Sequence, residues 1–88
     1  MKFEVVENFW EKFYSLSPDQ KESVRQAWVI FRRNPLDARL KSHRIHRLSA
    51  VYRKTIYSAV IEGDLRVIFR VDGDTVPTLD VGTHDLYK

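Results

Sequence analysis

The sequence predicts an α+β domain in the order β-α-α-β-β-β, with two N-terminal helices packed on one face of a small antiparallel sheet. Three observations predict it. From Leu65 to Asp72, the residues Leu65, Val67, Phe69 and Val71 alternate with Arg66, Ile68, Arg70 and Asp72, the period of a half-buried strand. Asp72-Gly73 follows at once, a favoured hairpin dipeptide, and the returning strand sets Leu79 and Val81 against Thr78 and Asp80 before it breaks at Gly82. Upstream, Val24, Ala27, Trp28 and Phe31 recur three and four residues apart, the stripe of an amphipathic helix. A chain of 88 residues suits a single small domain, 1–88, with a modest core.

Each element follows in order. Phe3 and Val5 alternate with Glu4 and Val6, so Lys2 to Val6 reads as a short strand. Phe9, Trp10, Phe13, Tyr14 and Leu16 fall at helical spacings, so Glu7 to Leu16 reads as a short amphipathic helix. Ser17-Pro18 pairs an N-cap with a proline at the first helical position, and the second helix runs from Pro18 to Arg33. Asn34-Pro35 ends it, because proline disfavours the helical conformation in the residue before it. Both tryptophans read as core. Leu36 to Leu48 is a loop with room for a brief strand. Val51 to Ile61 has the β-branched and aromatic composition of a strand, and Glu62-Gly63-Asp64 turns the chain into the strand that begins at Leu65. Pro77 stands near the start of the last strand, where a missing donor is tolerated. On this register Leu65, Val67, Phe69, Val71, Leu79 and Val81 face the helices and pack on Trp28 and Phe31, and Arg66 and Arg70 point away.

Composition narrows the function classes. The chain has no cysteine, which excludes a disulfide framework and thiol chemistry. The start, Met-Lys-Phe-Glu-Val-Val-Glu, has no long apolar run and no stretch is long enough to span a membrane, which leaves the cytoplasm as the expected compartment. The net charge of +3 hides an asymmetry. Residues 1–31 carry net −1 and residues 55–88 net −3, whereas residues 32–54 carry net +7 from Arg32, Arg33, Arg39, Lys41, Arg44, Arg47, Arg53 and Lys54 against Asp37. Such a block attracts phosphates, or an acidic partner.

The last third, Ile61 to Lys88, carries the chemistry. An arginine projecting from one strand, Arg66, lies beside a strand that ends in Gly82-Thr83-His84-Asp85 and Tyr87. That gathers a cation, a proton carrier and a ring able to stack on a base. "DLRVIFRVDGDTVPTLDVGTHDLYK" resembles the C-terminal strands of the RelE/ParE toxin superfamily, and "RLKSHRIHRLS" resembles a segment of its RelE-like, YafQ-related members. The specific resemblance covers about half the chain, and the N-terminal half is similar in pattern.

The resemblance implies a toxin of a type II toxin–antitoxin system, an endoribonuclease that cleaves mRNA on the 70S ribosome without a metal or other cofactor. RNA is cleaved when its own 2′-hydroxyl attacks the adjacent phosphorus, which needs a base, an acid and cations around the phosphorane. Histidine suits both proton transfers, and arginine's planar fork suits the phosphorane. By the resemblance His84 is the leading acid or base, His43 the second proton carrier, Arg66 the phosphate clamp, and Asp64 the counterpart of an acidic residue of YafQ-like toxins. Val60 stands where those toxins carry a further histidine. Lys41, Arg44, Arg47 and Lys54 would hold the RNA backbone without base specificity, and Tyr87 would stack on a base. The residues also admit plainer readings: His84 as a strand-end cap, His43 as a surface histidine, Arg66 paired with Asp64 or Glu62, Asp64 as a turn residue, and Tyr87 folded back on the core. His43 and His46 have a zinc-like spacing, but no third or fourth ligand accompanies them, so no metal site is expected. The resemblance further implies a cognate antitoxin protein as partner. Two other readings remain at this point, a ParE-like inhibitor of DNA gyrase and a RelE-fold interaction protein without catalysis. The pair His43 and His84 favours the ribonuclease, since gyrase inhibition needs no proton carrier.

Overall fold

A computed structural model of the chain describes residues 2–46, 49, 50 and 54–83. The elements are β1 (Lys2–Val5), α1 (Glu7–Tyr14), α2 (Pro18–Arg33), a 3-10 turn (Ala38–Leu40), β2 (His43–Arg44), β3 (Ile56–Glu62), β4 (Leu65–Arg70) and β5 (Thr75–Gly82). The two helices pack against a five-stranded sheet of order β1-β5-β4-β3-β2. The predicted α+β class and the order of its main elements hold. The sheet is mixed rather than antiparallel: β1 runs parallel to β5, with Phe3 opposite Val76 and Val5 opposite Thr78, while the other pairs are antiparallel. Parallel neighbours need a long connection, and here the whole intervening chain supplies it. Among the described residues no helix is long and apolar enough to cross a membrane.

Local signals account for the helix ends. The Ser17 hydroxyl accepts from the Gln20 N–H at 3.2 Å, and the Gln20 side chain accepts from the Ser17 N–H at 3.0 Å, a reciprocal capping box with Pro18 inside it. At the other end Asn34 is extended, with φ −158° and ψ 106°, as the following proline requires. Helix α1 stops at Tyr14, two residues short of the predicted Leu16. The Ser15 hydroxyl donates to the Lys12 carbonyl at 2.7 Å, and the chain is already turning toward the next cap. Leu16 still packs on the core.

The sheet sorts its residues onto two faces. Toward the helices, Leu65, Val67 and Val81 pack with Phe9, Phe13 and Val24. Beside them Phe69, Val76 and Ala59 pack with Phe31 and Leu40, flanked by Trp28 and Val71. The anchor of this second group is Phe69, which is fully buried, edge-on to Phe31 at 4.9 Å and stacked on Tyr57 at 5.4 Å. Thus Phe69 meets Phe31 as predicted and Val71 packs on the same group, whereas Leu65, Val67 and Val81 cluster chiefly with α1 and Val24. Leu79 does not face the helices. The register steps from Ile68 opposite Asp80 to Phe69 opposite Thr78, so Leu79 is the extra residue of a bulge. Thr78 is thereby turned inward, and Leu79 joins Ile45, Ile56 and Ile68 in an apolar cluster on the far face. Trp10, read as core, is 43% exposed on α1.

The loop after α2 is held by side chains. Asn34 accepts from the Leu36 N–H at 3.0 Å. Asp37 accepts from the Arg39 backbone N–H at 2.9 Å and from its Nε and Nη2 at 3.1 and 3.0 Å. The Arg39 side chain, and then its backbone N–H, hold the Asp37 carboxyl down from 3.8 to about 2.

Two measurements check this account. Phe69→Ala removes a fully buried ring and should cost about 3–5 kcal/mol in denaturant unfolding. Ser17→Ala, which opens the capping box, should cost about 1 kcal/mol, and a larger loss for Ser17→Ala than for Phe69→Ala would contradict the assignment of the core. Asp37 should titrate near pH 2 by NMR and return toward 3.8 in Arg39→Ala. Because its folded pKa is lowered, the interaction stabilises the fold at neutral pH and is lost as pH falls from 3.8 toward about 2.

Candidate functional site

The face of the sheet turned away from the helices carries the candidate site. Because Val67 and Phe69 pack toward the helices, Arg66, Ile68 and Arg70 project to the far face. Cross-strand register extends this assignment. One row runs His43, Ser58, Ile68 and Asp80 across β2, β3, β4 and β5. A neighbouring row runs Val60, Arg66 and Gly82. His43 and Arg66 therefore share a face two strands apart, roughly 10 Å in the hydrogen-bonding direction. Gly82, opposite Arg66, is two residues before His84. Val60 is the direct β3 neighbour of Arg66.

Arg66 is half-buried and pairs with neither Asp64 nor Glu62. Its Nη1 donates to the Gly63 carbonyl at 2.7 Å and to the Leu65 carbonyl at 3.3 Å. Its Nε is shielded from water and has no partner among the described residues. The nearby charges are otherwise engaged. Arg70 Nε donates to Asp72 at 2.6 Å, and Lys12 reaches Asp80 at 2.8 Å. Within the described part of the face, Arg66 is the cation without a carboxylate partner.

The remaining candidates fall in different places. Asp64 lies exposed in the β3–β4 turn. Lys41 is exposed just before β2, with a left-handed φ of 48°. Arg44 is exposed on β2 opposite Tyr57, so it alternates to the helix side, away from His43. Lys54 is exposed before β3. Arg47, His84 and Tyr87 lie outside the described residues, as do Arg53 and Asp85. His43 is exposed on the edge strand. Among the described residues no three His, Cys, Asp or Glu side chains come together as a metal site.

Sequence reasoning missed two features of this face. Ser58 is fully buried beside His43, and its hydroxyl has no partner among the described residues. The alternation of β3 would have placed it there, had the strand's start been legible. The carbonyl that holds Arg66 belongs to the backbone of Gly63, which no side-chain pattern reveals. In chemical terms, the face offers a guanidinium held at the β3–β4 turn, with a histidine on the same side and the chain leading toward a second.

No protein-family model matches the chain, and no curated protein matches it in sequence. Solved structures do match in shape. The archaeal RelE–RelB complex from Pyrococcus horikoshii OT3 contains a chain similar at TM-score 0.74 and 14% identity, with 97% of this chain and 96% of that one covered. YafQ from E. coli strain BL21(DE3) is similar at TM-score 0.70 and 18% identity, covering 96% and 93%. A chain of the E. coli DinJ–YafQ complex is similar at TM-score 0.65 and 17% identity, covering 99% and 98%. Each likeness spans nearly the full length of both chains, and the protein therefore has the fold of these RelE and YafQ chains.

Proposed function

We propose that the protein is the toxin of a type II toxin–antitoxin pair and cleaves mRNA on the ribosome through the face that carries Arg66. The carrying observation is the register of β4. It sets a half-buried arginine, without a carboxylate partner among the described residues, on the same face as His43 and directly opposite Gly82, from which the chain runs to His84. The full-length likeness to RelE and YafQ chains supports the toxin reading. That RelE is seen with RelB, and YafQ with DinJ, supports a cognate antitoxin as partner.

In this reading the 2′-hydroxyl of the RNA is the nucleophile. One histidine accepts its proton while the other donates one to the leaving 5′-oxygen, with His84 leading and His43 second. Arg66 meets the charge that grows on the phosphoryl oxygens with its planar, delocalised guanidinium. Asp64, at the turn, helps to set the local field. Lys41, Arg44, Arg47 and Lys54 contribute backbone affinity, which is independent of sequence. Tyr87 stacks on a base. Val60 replaces one potential proton carrier with an aliphatic neighbour of Arg66, so the chemistry rests on two histidines. The protein acts where translating ribosomes are, in the cytoplasm.

Expression of the chain in bacteria, with mapping of mRNA 5′ ends, tests the reading. Cuts should fall within translated codons and leave a 2′,3′-cyclic phosphate or its 3′-phosphate product. A 3′-hydroxyl end would require a water nucleophile and would overturn the mechanism. His84→Ala and Arg66→Ala should each lower cleavage about a hundred- to ten-thousand-fold without unfolding the protein. Full toxicity in a His43→Ala, His84→Ala double variant, with mRNA intact and a DNA-damage response induced, would select the gyrase-inhibitor reading instead. Affinity for ribosomes should fall steeply as salt rises, and Lys41→Glu with Arg44→Glu should weaken it across all messages. An affinity that is flat with salt would assign the basic block to another partner.

A further inference from the structure

We propose that the β3–β4 turn positions Arg66 through the carbonyl of Gly63, so that the arginine meets a phosphate with its Nε–Nη2 edge. This rests on the reading of Arg66 as the phosphate clamp and adds Gly63 as a positioning residue. A guanidinium is planar and can grip an oxyanion along two edges, Nη1–Nη2 or Nε–Nη2. In Arg66 the choice is made by the backbone. Nη1 is committed to the Gly63 carbonyl at 2.7 Å, with the Leu65 carbonyl at 3.3 Å. The Nε–Nη2 edge is left: Nε has no acceptor among the described residues, and because it is screened from water a phosphate engages Nη2 first and reaches Nε by displacing what covers it.

The same chain shows what that edge does with an oxyanion. Arg39 places Nε and Nη2 on the two carboxylate oxygens of Asp37, at 3.1 and 3.0 Å. A phosphate presents a similar pair of oxygens. Holding one end of the guanidinium also removes much of the side-chain freedom that a long arginine loses on binding, so the clamp is in place before the substrate arrives.

Gly63 can offer its carbonyl this way because of its backbone. Its φ is +47°, in the left-handed region, and β3 enters the turn through a register shift between Val60 and Glu62. An added Cβ at Gly63 would meet no atom within 4 Å, so substitution there tests conformation rather than a clash. Asparagine tolerates this φ, whereas a β-branched valine does not.

The test uses the full chain labelled with 15N and titrated with inorganic phosphate, the Arg66 signals being assigned by their loss in Arg66→Lys. In the unaltered chain the Arg66 Nη1 and Nη2 signals should be separate, because the tether slows rotation, and Nε–H should shift with phosphate. Gly63→Val should merge the Nη signals and weaken the phosphate response by about tenfold, the equivalent of one lost hydrogen bond. Gly63→Asn should match the parent. A single averaged Nη signal in the unaltered chain overturns the tether, whether or not the valine variant folds. So does a valine variant that binds phosphate as the parent does, or an asparagine variant as impaired as valine when both are folded. With ribosomes and mRNA, Gly63→Val should slow single-turnover cleavage while leaving ribosome affinity unchanged. If the unaltered chain cuts no mRNA, the ribonuclease reading fails, while the phosphate titration still decides the tether.

Discussion

The central strand β4 is the constraint on which the rest depends. It has a neighbour on each side, so its alternation dictates the orientation of residues on β3 and β5 as well as its own. Phe69 fixes the phase. Fully buried between Phe31 and Tyr57, it cannot exchange faces without emptying the core beneath α2. Once Phe69 faces the helices, Arg66 and Arg70 must face away, and so must Ser58 and Val60 on β3. The candidate site is thus a by-product of core packing. The apolar residues choose their side, and the polar ones inherit the other.

Two irregularities modify that rule where it matters. The bulge at Leu79 changes the phase of β5, turning Thr78 inward and moving Leu79 onto the far face with Ile45, Ile56 and Ile68. The far face therefore has an apolar floor of its own beside the charged row. The shift between Val60 and Glu62 delivers β3 into a turn whose glycine is left-handed, and that turn reaches the Arg66 guanidinium. The first, in β5, adjoins the pair Ile68 and Asp80, and the second, in β3, adjoins the row of Val60, Arg66 and Gly82. Side-chain aim on this face is set by these local departures from regular pairing as well as by the pleat.

Charge is distributed by the same logic. Two of the described carboxylates near the far face are occupied: Asp72 by Arg70 and Asp80 by Lys12. Asp37 is similarly taken by Arg39 within the loop after α2. Exposed pairs of this kind contribute little to stability, but they decide which cations remain for a ligand. Arg66 is tied to carbonyls and has no carboxylate bonded to it among the described residues. A carboxylate partner would have to be displaced before a phosphate could bind, whereas neutral carbonyls orient the cation and leave its charge in place.

Sequence by itself determined the elements whose signals are local. The capping box of Ser17 and Gln20 and the stop at Asn34-Pro35 set α2, and the alternation from Leu65 marked β4 with Arg66 and Arg70 on its outer face. It also held the motifs that resemble RelE-like toxins, and with them the candidates Arg66, His43 and His84. Tertiary structure decided what depends on partners distant in the chain. The parallel pairing of β1 with β5, the packing of Leu65 and Val67 on α1 and the exposure of Trp10 follow from how helices and sheet meet, which no local period encodes. The inversion of Leu79 follows from one extra residue in β5, invisible until β4 supplies the register against which it is extra. The hold on Arg66 is a backbone carbonyl placed by a glycine's positive φ, and a carbonyl is common to every residue. Local chemistry writes which groups are available, and the closing of the chain on itself decides which of them meet.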